Sequence, residues 1–428
     1  MWKSLLSVIS YTTLLASSAP LDELQEIGRL PTEGCNGLEF FTINQVDYLV
    51  AANFWDGKSA EMSANSALFR LSLVNNSRNI QTEIIQQFST KGAHGADYFV
   101  HGDYNMLSIP SYYGCQQDEA GCYSTVLYLW DHVRSKFVVF QQFKTAGPSQ
   151  TDHLVEEGDG GAVFFFVAEN FSSRLSVYRF ESAPPRFEPY QNIFCPGVAG
   201  LAVLQVQQRS LLAVASYHDK GWKTSSLVLE KESGRGSKFK KMQSLDTFGA
   251  HDAEMALLND RVLLFFSEDR NDSTSKISSQ LFSLSFSLSL SLPEASRFVK
   301  VQDLSTDGAH AAEFFFSSSS PSPSSASSVS SELHLAVANF GDRQGERVEA
   351  RSSLWRWDDS TARLVLVHEV ETQGATDWER LALSSASSSS ALAYLIVCNE
   401  GDVGRQLHQE SVFYRLVGGG RGRVDGEL

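Results

Sequence analysis

The chain has 428 residues, of which 42% are hydrophobic and 11% aromatic, enough to bury a large core. Its 28 Phe against 5 Met and 11 Pro favour strands over helices, because flat aromatic rings suit a pleated, half-buried surface. A formal net charge of −15 without clusters of Lys and Arg excludes nucleic acid as the main partner, and no apolar run of about 18 residues follows the N-terminus, so no membrane span is expected.

Residues 1–18 read as a signal peptide: Lys3, an apolar stretch over 5–16, then Ala16, Ser17 and Ser18, small residues suited to cleavage. An extra edge strand or an unstructured lead-in is the alternative. Residues 418–428 form a Gly/Arg-rich flexible tail. Between them, over 22–417, one unit recurs. It opens with a strand, seen in turn as LQEIGRL, IIQQF, FVVFQQF, YQNIF, KKMQSL, VKVQDL and LVLVHEV. An acidic element follows each time: GCNGLEFF, GAHGADYF, GPSQTDHL, GVAGLAVL, GAHDAEMA, GAHAAEFF and GATDWERL. A hydrophobic strand such as YLVAANF comes next, and one such as ALFRLSL closes the unit. Spacing is about 50 to 65 residues, and the excess lies in loops, including the Ser runs at 317–331 and 384–390. The Ser/Leu/Phe stretch at 282–292 reads as a strand extension.

Four short antiparallel strands recurring seven times predict a seven-bladed, all-β propeller of four-stranded blades. A β-solenoid would need a shorter repeat and parallel stacking. The first strand precedes the first acidic element, while the last unit stops at its closing strand. The N-terminal strand over 24–30 is therefore expected to complete the last blade and close the ring.

Five cysteines cannot all pair. Cys115 and Cys122 flank a short loop that readily closes, which points to an oxidising compartment; two reduced thiols are the alternative, and the state of Cys35, Cys195 and Cys398 stays open. Asn75, Asn170 and Asn271 head glycosylation sequons, consistent with secretion.

The Gly-Ala-x-x-x-(Asp/Glu)-x-Phe element, followed by YLVAAN-like and LYRW-like strands, resembles the EPTP repeat, also called the epilepsy-associated or EAR repeat, of the leucine-rich glioma-inactivated proteins. The likeness runs over nearly all of 24–416. It implies a seven-bladed propeller acting as a secreted, extracellular, non-catalytic module that binds an extracellular or cell-surface protein. The leucine-rich domain of the neuronal members is not among these residues, so their receptors do not carry over. Ala202 stands where other repeats have an acid, and Pro148 replaces Ala, so blades three and four are expected to be less regular.

Six repeats place Glu39, Asp97, Asp152, Glu254, Glu313 and Glu379 at one position, on the strand nearest the axis, with Asp252 and Asp377 two residues earlier. Two roles fit. The carboxylates accept hydrogen bonds from the neighbouring blade and set register, or a subset, drawn from Asp97, Asp152, Asp252 and Asp377, holds Ca²⁺ near the axis. His94, His251 and His310 come from separate repeats and are expected to be spread around the ring, which argues against a transition-metal site.

Near-equal repetition of the acids argues against catalysis, which needs differently tuned carboxyl groups, and the sequence shows no sialidase-type Asp-box or nucleophile elbow. The expected binding surface is the rim carrying Trp55, Tyr112, Tyr113, Trp222 and Phe340, where a glycan is the alternative ligand. A lectin-like propeller, or a propeller glycosidase or lyase using axial carboxylates, is the competing reading.

Overall fold

In the computed structural model, residues 23–56, 62–74, 79–114, 124–156, 161–232, 236–285, 297–318, 331–341, 349–384, 393–401 and 410–417 are described. The expectations for the signal peptide, Cys115 and Cys122, Asn75, the tail, and most of the Ser runs and of 286–292 fall outside those residues. The described residues form seven four-stranded antiparallel sheets. Blade one spans 35–91, two 97–143, three 148–194, four 198–248, five 250–305 and six 309–373. Blade seven pairs 375–417 with the N-terminal strand Glu23–Leu30, which lies outermost against Ser411–Val417. The ring therefore closes as expected, with one strand displaced from the start of the chain to its end.

The innermost strands are Cys35–Ile43, Asp97–His101, Pro148–Val155, Val198–Val206, Ala250–Leu258, Ala309–Ser318 and Ala375–Arg380. Each contacts the innermost strand of both neighbouring blades, which places them around the axis. The strands Val163–Glu169 and Ala393–Asn399 bury every residue, because both faces of a blade pack against other blades. The core is accordingly a series of apolar layers between blades: Leu38, Leu49, Phe69, Ile396 and Phe413 fill the layer between blades seven and one. Blades three and four are complete despite Pro148 and Ala202. Their innermost strands carry bulges at Pro148/Gln150 and Val198/Leu201, and blades one, five, six and seven carry a bulge at the matching place.

A glutamine ties the outer strand of one blade to the next. Gln86 donates Nε2–H to the Phe137 carbonyl and accepts from the Phe137 N–H, both at 2.9 Å. Gln141 brackets Phe187, Gln191 Phe239, Gln243 Phe298 and Gln302 Leu364 in the same way. At the seam between blades seven and one this position is Gly28, opposite Phe413. A Cβ there would stand 3.6 Å from the Ile80 carbonyl oxygen and 3.9 Å from its nitrogen, the two atoms a glutamine would bracket. Other bonds hold the seam: a disulfide between buried Cys35 and Cys398, the Leu38 N–H on Asp377 Oδ2 at 2.8 Å, and Thr32 with Ser411 at 3.1 Å.

Three outcomes follow for the seam. Removing residues 20–31 lowers the melting temperature by many degrees, and Cys398→Ser costs about 2–5 kcal/mol. Gly28→Ala removes a flexible glycine from a strand and its Cβ meets only ordinary contacts at 3.6 Å and beyond, so chemical denaturation should show roughly 0.5–1 kcal/mol of stabilisation; a loss of stability would show that the space at Gly28 matters for packing instead.

Candidate functional site at the propeller axis

On the innermost strands of blades one, three, four, five, six and seven a bulge bends the strand and re-aims the side chains around it toward the axis. The carboxyl groups then meet the backbone of the next blade. Asp252 Oδ2 accepts from the Ala312 N–H at 3.3 Å, and Gln150, at the equivalent place in blade three, accepts from the Leu201 N–H at 2.5 Å. One layer deeper, Glu39 accepts from the Tyr98 N–H, Asp152 from Val203, Glu254 from Phe314 and Glu379 from Phe40.

Burial keeps this ring largely protonated. Glu39 is held well above the ordinary carboxylate range, first by burial and then by the charge of Asp97. Glu254 and Glu379 are raised likewise by burial and by Glu313, and Asp377 by burial with only partial relief from the Leu38 N–H. Burial takes Asp252 to about 7 against the hydrogen bond from Ala312. It takes Glu313 to about 8 although Arg380 pulls the other way.

Blade three breaks the pattern. The position after its acid is His153, and its backbone N–H is used by Asp152 Oδ1 at 2.6 Å. Asp97, reaching over from blade two, bonds instead to the imidazole: Asp97 Oδ1 lies 2.8 Å from His153 Nδ1. The ring of His153 stacks on Phe99 at 4.7 Å. Asp97, Asp152 and His153 bring their donor atoms within 4.8 Å of one another and could hold a metal ion. Burial opposes the imidazolium, but the charge and hydrogen bond of Asp97, with the charge of Asp152, outweigh it and lift His153 to about 9. Burial, then repulsion from Asp97, lifts Asp152 to about 8, with His153 opposing. Beside them Ala202 leaves the place of the missing acid empty of a carboxyl group. A cavity of about 250 Å³ opens there, lined among others by Asp97, Gln150, Thr151, Asp152, Ala202 and Glu254.

At the other level of the channel the structure brings together what sequence separated. His94, His251 and His310 are not spread around the ring: the rings of His251 and His310 lie 3.6 Å apart and those of His94 and His251 6.4 Å. In blades five and six this residue is the bulged one, so it turns into a narrow channel where opposite blades approach. His310 Nδ1 sits 2.8 Å from the Thr376 carbonyl.

The rim aromatics mostly fold back onto the blades. Phe340 is fully buried and offers no binding surface, which corrects its expected place on the rim; it packs where Gly374 leaves room. Tyr112 stacks on His94 at 4.6 Å and donates its hydroxyl to Asn170 at 3.0 Å. Trp222 packs against Tyr217 at 5.1 Å and under Arg270, and Trp55 is half-buried. Tyr113 is 41% exposed. Asn170 Nδ2, the atom a glycan would need, donates to the Val198 carbonyl at 2.9 Å, and Asn271 Oδ1 caps a turn by accepting from the Ser273 and Thr274 N–H groups.

No family model matches the chain. It is similar to the human "Thrombospondin-type laminin G domain and EAR repeat-containing protein", 27% identical over 411 residues, and to its mouse counterpart at 26%. These matches take in 90% of this chain and 52% of the relatives, so the chain spans about half the length of the curated relatives it matches. They support the EAR-repeat superfamily at a general level. Among solved structures, the Dos1 propeller shares the architecture (10% identity, 92% of this chain and 95% of that one, TM-score 0.52). So does a periplasmic gluconolactonase of Pseudomonas aeruginosa (14% identity, 81% and 88%, TM-score 0.50). At such identities these likenesses bear on the fold.

The expectation of a non-catalytic protein-binding module is overturned by the cluster in blades two and three. It rested on the acids being equivalent. They are not: one is bonded to an imidazole, its neighbour is lifted to about 8, and the next blade supplies an alanine and a cavity. Differently tuned groups converging beside a pocket are the arrangement acid–base chemistry requires. The signal was present in GPSQTDHL, where His follows the acid, and in GVAGLAVL, where the acid is missing.

The pH dependence of stability has a fixed sign. Asp152, Asp252 and Glu313 are raised in the folded state, so their contribution is present below about pH 4 and is lost as pH rises through about 7 to 8. His153, raised to about 9, contributes fully below about 6.5 and loses its contribution through about 9. The melting temperature should therefore fall between about pH 5 and pH 8.5, and Glu313→Gln should flatten the fall. A rise over this interval would refute the assignment.

Proposed function

We propose that this propeller is an acid–base enzyme acting on a small, polyhydroxylated, sugar-type substrate, with its active site in the axial cavity beside Ala202. The observation that carries the proposal is the Asp97–His153–Asp152 cluster, of which Asp97 and Asp152 line that cavity while His153 is bonded to Asp97. Asp152, lifted by burial to about 8, delivers its proton to the leaving oxygen as the C–O bond breaks and a water adds to the sugar carbon, and the water's surplus proton returns to the Asp152 carboxylate. Asp97 orients His153 through the 2.8 Å bond to Nδ1 and stabilises its charged form. The polar lining of Gln150, Thr151 and Glu254 suits hydroxyl groups. The volume of about 250 Å³ matches a single sugar ring better than a polymer, since pockets for larger ligands run upward from about 300 Å³.

The repeat pattern and the EAR repeats named in the curated relatives support counting the chain with the EPTP/EAR propellers. The gluconolactonase with the same architecture is by name an enzyme, but at 14% identity it lends the fold and not the site. The buried Cys35–Cys398 disulfide supports maturation in an oxidising compartment and export from the cell.

A panel of chromogenic glycosides and sugar lactones tests the proposal. Turnover is expected for at least one. Asp152→Asn should lower kcat by about 10²- to 10⁴-fold with a small change in KM, and His153→Gln should shift the pH profile. Activity that survives a chelator fits proton transfer alone; activity lost to the chelator and restored by a divalent cation would reassign the three groups as metal ligands. No turnover by the folded chain on the whole panel would contradict the proposal.

A further inference from the structure

The axial cavity holds one carboxylate oxygen that the chain itself leaves without a donor. Asp97 is 7% exposed; its Oδ1 is engaged by His153, while Oδ2 is buried and accepts no hydrogen bond. Glu39, Asp152, Glu254 and Glu379 each receive a backbone N–H from the next blade. At Asp97 the equivalent N–H belongs to His153 and is already bonded to Asp152. A buried acceptor without a donor is costly, more so when charged, and this oxygen is placed to accept a hydrogen bond from a ligand in the cavity.

The lining specifies the charge of that donor. Carboxyl groups of Glu39, Asp97, Asp152 and Glu254 face the cavity with Gln150 and Thr151, and among the described residues no Lys or Arg lines it. The adjoining part of the channel is lined by further carboxyl groups and histidines, again without Lys or Arg. An anionic sugar phosphate or sugar acid would bring further acceptor oxygens to a lining of carboxyl groups that holds no Lys or Arg side chain to bond them. A protonated amine brings N–H donors to Asp97 Oδ2, the acceptor that His153 leaves unbonded.

We infer that the axial cavity selects a polyhydroxylated ligand bearing a protonated amine, an amino sugar, with its ammonium on Asp97 Oδ2 and its hydroxyl groups on Gln150, Thr151 and Glu254. The inference rests on the catalytic reading of the same cavity and adds the class of substrate. A charge-assisted hydrogen bond to a buried carboxylate makes the amino sugar bind roughly ten- to a hundred-fold tighter than its neutral counterpart.

Isothermal titration of the chelator-treated full chain with D-glucosamine, D-glucose and D-glucose 6-phosphate decides the matter. The expected order is glucosamine well ahead of glucose by that factor, with no detectable binding of the phosphate. Asp97→Asn should bring glucosamine down to the level of glucose. If that variant does not fold, Glu254→Gln, on the same cavity wall, should narrow the preference. Equal affinity for glucose and glucosamine, or preference for the phosphate, overturns the inference while leaving sugar chemistry at the site intact. Failure of all three to bind, or exclusion of glucosamine only by an added divalent cation that itself binds tightly to the chain, overturns it in favour of a metal or another ligand. In the first of these cases turnover in the glycoside panel shows separately whether the catalytic reading survives.

Discussion

Everything in this molecule depends on the bond between neighbouring blades. A four-stranded sheet that is apolar on both faces has no stable existence alone, and a ring gives each sheet two neighbours only if the last meets the first. The chain satisfies that requirement at three radii. Axial carboxyl groups accept backbone N–H donors from the next blade, apolar layers fill the middle, and glutamines bracket the outer strands. The seam lacks the outer bracket at Gly28 and is held by a disulfide and the displaced N-terminal strand instead.

The same constraint produces the site. Six acids repeated on one strand position concentrate carboxyl groups where there is little water, and burial holds most of them neutral. In a strictly regular ring all would be hydrogen-bonded in the same way and none would be distinguished. Two departures in adjacent blades remove the equivalence: His153 gives Asp97 an imidazole in place of an amide, and Ala202 leaves space beside Asp152. Chemistry becomes available where the repeat is imperfect.

The fold was legible in the sequence because blade formation is a local matter. Alternating strands, Gly-Ala turns and the count of acidic elements are carried by contiguous residues, and even the closure by residues 24–30 follows from counting strands. What the sequence concealed depends on distances between blades. Cys35 and Cys398 are 363 residues apart, and only the closed ring makes them neighbours. His94, His251 and His310 read as separated because repeat number was taken as angular distance, whereas the bulges turn them into a channel narrow enough for ring contact. Phe340 read as a rim residue because it follows a strand end, yet the space left by Gly374 takes it inside.

The central claim is that the axial acids are inequivalent, with Asp152 raised by burial to about 8 beside a His153 that is hydrogen-bonded to Asp97. Infrared difference spectroscopy of the carboxylic C=O stretch, taken at neutral pH on the chain and on Asp152→Asn, measures this directly. The account predicts a band from protonated carboxyl groups that persists at neutral pH and loses intensity in the variant. Complete ionisation of the axial acids below about pH 6, with no band for the substitution to remove, would contradict it.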